Sequence, residues 1–70
     1  MKPTNMTKLA NRIRGLCVAQ GKEISSIREL LGLSRNAMDR RYHDDTIWKF
    51  HEILKIAEYL ETDISFFLGN

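Results

Sequence analysis

The residues best suited to chemistry are Arg35, Asn36 and Arg40, in the run SRNAMDRRY from Ser34 to Tyr42. A guanidinium donates two bonds to the O6 and N7 of guanine, and a carboxamide pairs with N6 and N7 of adenine, so this set suits reading of bases in a DNA major groove. Arg40, five residues beyond Arg35, lies on roughly the same side of a helix. Ser34, Lys22, Arg28 and Arg41 are the candidate phosphate contacts, which set register and make affinity fall with salt. Asp39 and Tyr42 complete the surface, and Asp39 suits a basic protein partner better than a phosphate backbone.

Other chemistries find little support. There is no acid and base pair at catalytic spacing, no Gly-rich phosphate loop and no metal-ligand cluster, so no enzymatic activity is expected. Cys17 with His51 is the only conceivable nucleophile and base pair. A catalytic thiolate needs an exposed, electropositive setting, and Cys17 falls on an apolar helix stripe. A metal cage would have only Cys17, His43 and His51 to draw on, so neither metal nor cofactor is expected.

The candidate readers need a helix with a defined start. Ile27, Leu30 and Leu31 at i, i+3 and i+4 predict a helix before them, which breaks at Gly32. Gly32 can take the left-handed conformation that ends one helix, and Ser34 can cap the next. Thus Ser25 to Tyr42 reads as helix, short turn, helix. The third helix fades near His43, a loop residue expected to be solvated, and Ala37 and Met38 turn that helix inward.

The flanking segments are helical by the same criterion. From Thr7 to Gln20 the stripe is Met6, Leu9, Ala10, Ile13, Leu16 and Cys17, ended by Gly21. Thr46 is the expected cap of a fourth helix from Ile47 to Leu60, with Ile47, Phe50, Ile53, Leu54, Ile56, Ala57 and Leu60 as its apolar face. Trp48 and Tyr59 fall partly off that stripe, at its margin or on an exposed patch, and His51 faces solvent. Thr62 and Asp63 offer a cap for a short fifth helix through Phe66, Phe67 and Leu68, closed by Gly69. The expected architecture is all-α and five-helical: a leader over residues 1–6, containing Pro3, and one domain over residues 7–70.

Seventy residues suffice for one domain with a modest core. One cysteine permits no internal disulfide and fits a reducing, cytoplasmic setting. The N-terminal run MKPTNMTKLANRIRG has no long apolar stretch, so no signal peptide, membrane span or membrane partner is expected. The net charge of +2 is unevenly spread. Residues 1–41 hold nine Lys/Arg against Glu23, Glu29 and Asp39, giving +6, and residues 42–70 hold two against six, giving −4. A polyanion would meet the N-terminal half.

Three segments in order, NRIRGL, ELLGLSRNAM and ILKIAEYLETDISFFLG, resemble the phage repressor and Cro-like helix-turn-helix family from about Leu9 to Gly69. The resemblance implies a compact five-helix, lambda-repressor-like domain that binds double-stranded DNA in transcription control, often as a dimer and frequently in temperate phages. By that likeness Ser34, Arg35 and Asn36 match the start of the recognition helix, and Arg40 matches a further DNA-facing position. Some residues depart from the pattern. Ile24 stands where many members carry a phosphate-clamping glutamine, Arg28 replaces a small alanine, and Arg41 falls where a buried apolar residue is common. Tyr42 and Asp44 take the place of a Glu and Gly. Two readings follow. One is a transcription regulator, with Trp48, Tyr59 and the Phe66–Leu68 end as homodimer surfaces. The other is an antirepressor that uses the recognition surface, with Asp39, Asp44 and Asp45 beside it, against a phage repressor's DNA-binding domain.

Overall fold

The computed structural model describes residues 7–68. The expected leader over residues 1–6, the Met6 position of the first stripe and the closing Gly69 lie outside the described residues. Five α-helices follow one another: α1 (Lys8–Ala19), α2 (Ser25–Leu31), α3 (Arg35–His43), α4 (Phe50–Tyr59) and α5 (Ser65–Leu68). A single 3-10 turn, Asp45–Ile47, stands between α3 and α4, and the described residues contain no strand. No helix among them is long and apolar enough to cross a membrane.

The core follows from helical periodicity. Leu9, Ala10, Ile13 and Cys17 point inward from α1, Ile27 from α2, Met38 from α3, and Ile53, Ile56 and Ala57 from α4. Leu60 and Phe67 close this cluster, and Leu16, Leu30 and Leu31 pack at its edge. Full burial of one such aliphatic side chain is worth about 1.5–3 kcal/mol, so a small cluster of this kind decides the fold. Burial also pushes the Cys17 thiol above its ordinary pKa, with the Lys22 charge opposing, which suits a packing residue.

Three helices end in one way. After α1, Gly21 takes φ 72° while its N–H donates to the Val18 carbonyl and that of Lys22 to the Cys17 carbonyl. Gly32 does the same after α2 at φ 67°, with Leu33 donating to Arg28. The pairing satisfies carbonyls that a helix end leaves open, and glycine adopts the left-handed turn without a Cβ penalty. After α4 the position belongs to Glu61, at φ 53°, with Thr62 donating to Ala57. A side chain there costs about 1–2 kcal/mol.

The entry to α4 differs from expectation. Ile47 to Lys49 are not part of the helix, and Thr46 does not cap it. Asp44 instead accepts from the Thr46 N–H and hydroxyl, at 2.9 and 2.6 Å, and these bonds hold its carboxyl below the ordinary carboxylate range. This local turn competes successfully with helix propagation. Trp48 and Lys49 are then extended, and α4 begins at Phe50, with Glu52 accepting from the Lys49 backbone N–H at 3.1 Å. The extended step sends Trp48 into the core, 8% exposed, and leaves Phe50 outside at 62%. Leu54 shares that outer face, so Trp48, Phe50 and Leu54 all correct the expected stripe. His51 is exposed as expected, and Asp63 caps α5 by accepting from the Ser65 N–H.

Candidate nucleic-acid interface

The turn that presents α3 is short. Gly32 leaves α2, Leu33 follows, and Ser34 opens α3 by accepting from the Ala37 N–H at 3.1 Å. Such a cap is worth about 1 kcal/mol and fixes where the first turn of α3 begins. The far end of α3 is fixed as well. Its open carbonyls find donors in Thr7, whose N–H reaches the Tyr42 carbonyl at 2.8 Å, and in Trp48, whose Nε1 reaches that of Arg41 at 3.1 Å. These bonds satisfy groups that would otherwise be stranded at the helix terminus.

The helix therefore has a fixed inner face. Met38 is 2% exposed, and Arg41 lies beside it at 8%. Arg41 faces Glu52 of α4: its Nε and Nη2 donate to the two carboxylate oxygens at 3.0 Å each, and its Nη1 donates to the Ala37 carbonyl. The expected role of Arg41 as a phosphate or partner contact is thus corrected. Its stem continues the apolar face, and its charge is neutralised by a carboxylate on the neighbouring helix. Burial pushes the Glu52 carboxyl up, but the bonds from Arg41 and Lys49 and the Arg41 charge outweigh it and hold the group below its ordinary value.

The outer face carries Arg35, Asn36, Asp39, Arg40 and His43, all exposed. Arg35, Asn36 and Arg40 make no hydrogen bond or ion pair among the described residues, so their donors are open to a ligand. Asp39 stands 3.8 Å from the His43 imidazole one turn away. Ser34 keeps a hydroxyl proton beyond its capping role.

The phosphate candidates divide. Arg28 is half-buried on α2 and donates from Nη1 to the Leu33 carbonyl at 3.4 Å, a long bond across the turn. Lys22 is committed elsewhere. Its Nζ lies 4.6 Å from the centre of the Tyr59 ring and donates to Gln20 Oε1 at 2.8 Å and to the Tyr59 carbonyl at 3.4 Å. A cation at that spot meets the C-terminal end of α4, where the helix dipole is negative. It belongs to the α1–α4 junction and not to the α3 surface.

Between α2 and α3 lies a cleft of about 210 Å³, lined by Ile24, Ser25, Arg28, Arg35, Met38, Asp39 and Tyr42. Tyr42 is half-buried, and desolvation, followed by the charge of Asp39, raises its phenol pKa, so it stays a neutral donor. Comparison of the chain with family models, with curated proteins and with solved structures finds no match.

Glu52 and the cleft residues Ile24 and Ser25 were not among the sequence candidates, and Trp48, expected at a homodimer surface, is buried instead. Glu52 had a signal: it stands four residues before Ile56 and eight before Leu60, an inward register like that of Arg41. Opposite charges at inward positions of two helices are candidates for a buried pair.

Proposed function

We propose that this chain is a small helix-turn-helix regulator that binds double-stranded DNA with α3 in the major groove. Arg35, Asn36 and Arg40 read base edges, and Ser34 and Arg28 contact phosphates. The observation that carries the reading is the division of α3. Three side chains of base-reading type stand uncommitted on its outer face, while Met38 and the Arg41–Glu52 pair hold its inner face. Readers on a fixed helix keep their geometry, which direct readout requires. The likeness of ELLGLSRNAM to phage repressor and Cro-like proteins supports the same reading, and an origin in a temperate phage.

The test is fluorescence anisotropy of labelled DNA from upstream of the chain's own gene, titrated with protein over a salt series. Specific binding should weaken linearly in log salt, with a slope that counts the phosphates neutralised. Sequence-independent binding that survives Arg35→Ala and Arg40→Ala would sink the assignment.

A second reading is favoured by Asp39, exposed among the readers. Facing phosphate it is repelled, whereas facing the basic surface of another regulator it is attracted. Withdrawal of the Arg41 charge lowers the positive potential of the face further. In this reading the chain is an antirepressor that docks α3 on a phage repressor. It binds DNA weakly by itself and displaces the repressor from its operator in the same titration.

A further inference from the structure

The cleft between α2 and α3 gathers the core residue Met38 and the DNA-contact candidates Arg28 and Arg35 around one concave site. Ile24 and Met38 supply its apolar lining, and Arg28, Arg35, Ser25 and Tyr42 line the rest with Asp39. Only one carboxylate, Asp39, shares the lining, so its formal charge is positive. The size is informative. A cavity of about 150 Å³ accommodates benzene, so about 210 Å³ has room for one aromatic ring with a short chain.

We propose that this cleft binds a small aryl monocarboxylate, with its ring on Ile24 and Met38 and its carboxylate on the Arg28 and Arg35 guanidiniums. The chemistry fits at each point. A thioether makes favourable contacts with an aromatic ring, and guanidiniums beside the ring add cation–π attraction. The carboxylate takes charge-assisted bonds from planar donors made for it. Arg35 brings no competing hydrogen bond or ion pair from the described residues, and Arg28 gives up only a bond of 3.4 Å. Asp39 disfavours a second negative charge on the ligand. Phenol neutrality at Tyr42 keeps a hydroxyl donor available rather than an anion.

The site shares Arg28 and Arg35 with the proposed DNA-reading surface but does not rest on that reading, and its test contains no DNA. The isotopically labelled full chain is titrated with phenylacetate, and the amide signals of residues around the cleft are followed by NMR. Acetate supplies the charge without the ring, benzyl alcohol the ring without the charge, and phenylmalonate a second charge. Saturable shifts centred on Ser25, Arg28, Met38 and Tyr42 are expected with phenylacetate, and binding about tenfold weaker or more with each of the others. Arg28→Gln and Arg35→Gln, with helicity and thermal unfolding checked by circular dichroism, should each weaken phenylacetate about tenfold. The proposal is overturned by shifts that do not saturate or that centre elsewhere, by acetate matching phenylacetate, or by binding unchanged in both folded variants.

Discussion

Arg40 and Arg41 are adjacent in the chain, yet Arg40 stands open on the outer face of α3 while Arg41 is buried against α4 with both oxygens of Glu52 engaged. One helix carries the same side chain in two electrostatic environments. On the outer face a guanidinium keeps its water and its donors, and its effect on stability is small. On the inner face desolvation is severe, and the charge is tolerated only because the partner carboxylate, the Ala37 carbonyl and the Lys49 backbone N–H complete the network. Position, more than residue type, decides whether a basic side chain belongs to binding or to folding.

The contrast is broken most severely by removing one partner of the buried pair. Glu52→Ala leaves the Arg41 charge uncompensated and should cost about 3–5 kcal/mol, a large part of the stability of a domain this small, as measured by urea unfolding. Arg41→Met combined with Glu52→Leu should restore most of that loss, because apolar residues of similar volume replace a buried pair with little penalty. The same pair sets a pH dependence. The folded Glu52 carboxyl lies below its ordinary value of 4.5, so in that window the unfolded chain binds more protons. The stabilisation is complete above 4.5 and is lost as pH falls through the folded value, a trend that urea titrations at successive pH values will reveal and that the double variant should lack.

Substitutions on the outer face sharpen the contrast from the other side. Arg35→Ala and Arg40→Ala should each lower discrimination between cognate and altered DNA sites by about 1–3 kcal/mol in anisotropy titrations. Their urea midpoints should stay within about 0.5 kcal/mol of the parent. Next in size, Ser34→Ala removes the cap that positions the first turn of α3 and should cost about 1 kcal/mol of stability. The smallest expected effect lies away from both faces. Glu61→Gly relieves the left-handed conformation at φ 53° and should stabilise by about 0.5–1 kcal/mol, the relief being partly offset by the greater freedom of an unfolded glycine chain.

What was legible in the sequence was whatever has a local cause. Gly21 and Gly32 announced their turns and Ser34 its cap, and the inward register of Ile13, Cys17, Ile27 and Met38 followed from helical spacing. The ending of α4 was hidden because Glu61 occupies a position where glycine is the usual signal. Its beginning was hidden because the Asp44 turn overrides an apolar spacing from Ile47 to Phe50 that reads as helical. For the candidate site, the exposure of Arg35, Asn36 and Arg40 was legible from the Ser34 start. The fate of Arg41 was not, since it depends on a carboxylate eleven residues away on another helix. Periodicity marks both positions as inward without showing that the two charges meet.

Trp48 is the sole tryptophan of the chain, and its indole is buried with Nε1 held by the Arg41 carbonyl, at the seam where α3 meets α4. The protein thus carries a built-in optical probe of that seam. Its intrinsic emission should be blue-shifted while the seam is closed and move to the red when α3 detaches. A ligand engaging Arg35 or Arg40 on the opposite face of the helix should leave the emission nearly silent. Occupancy of α3 and loss of its anchorage can therefore be told apart in one unlabelled sample, by light from a single side chain.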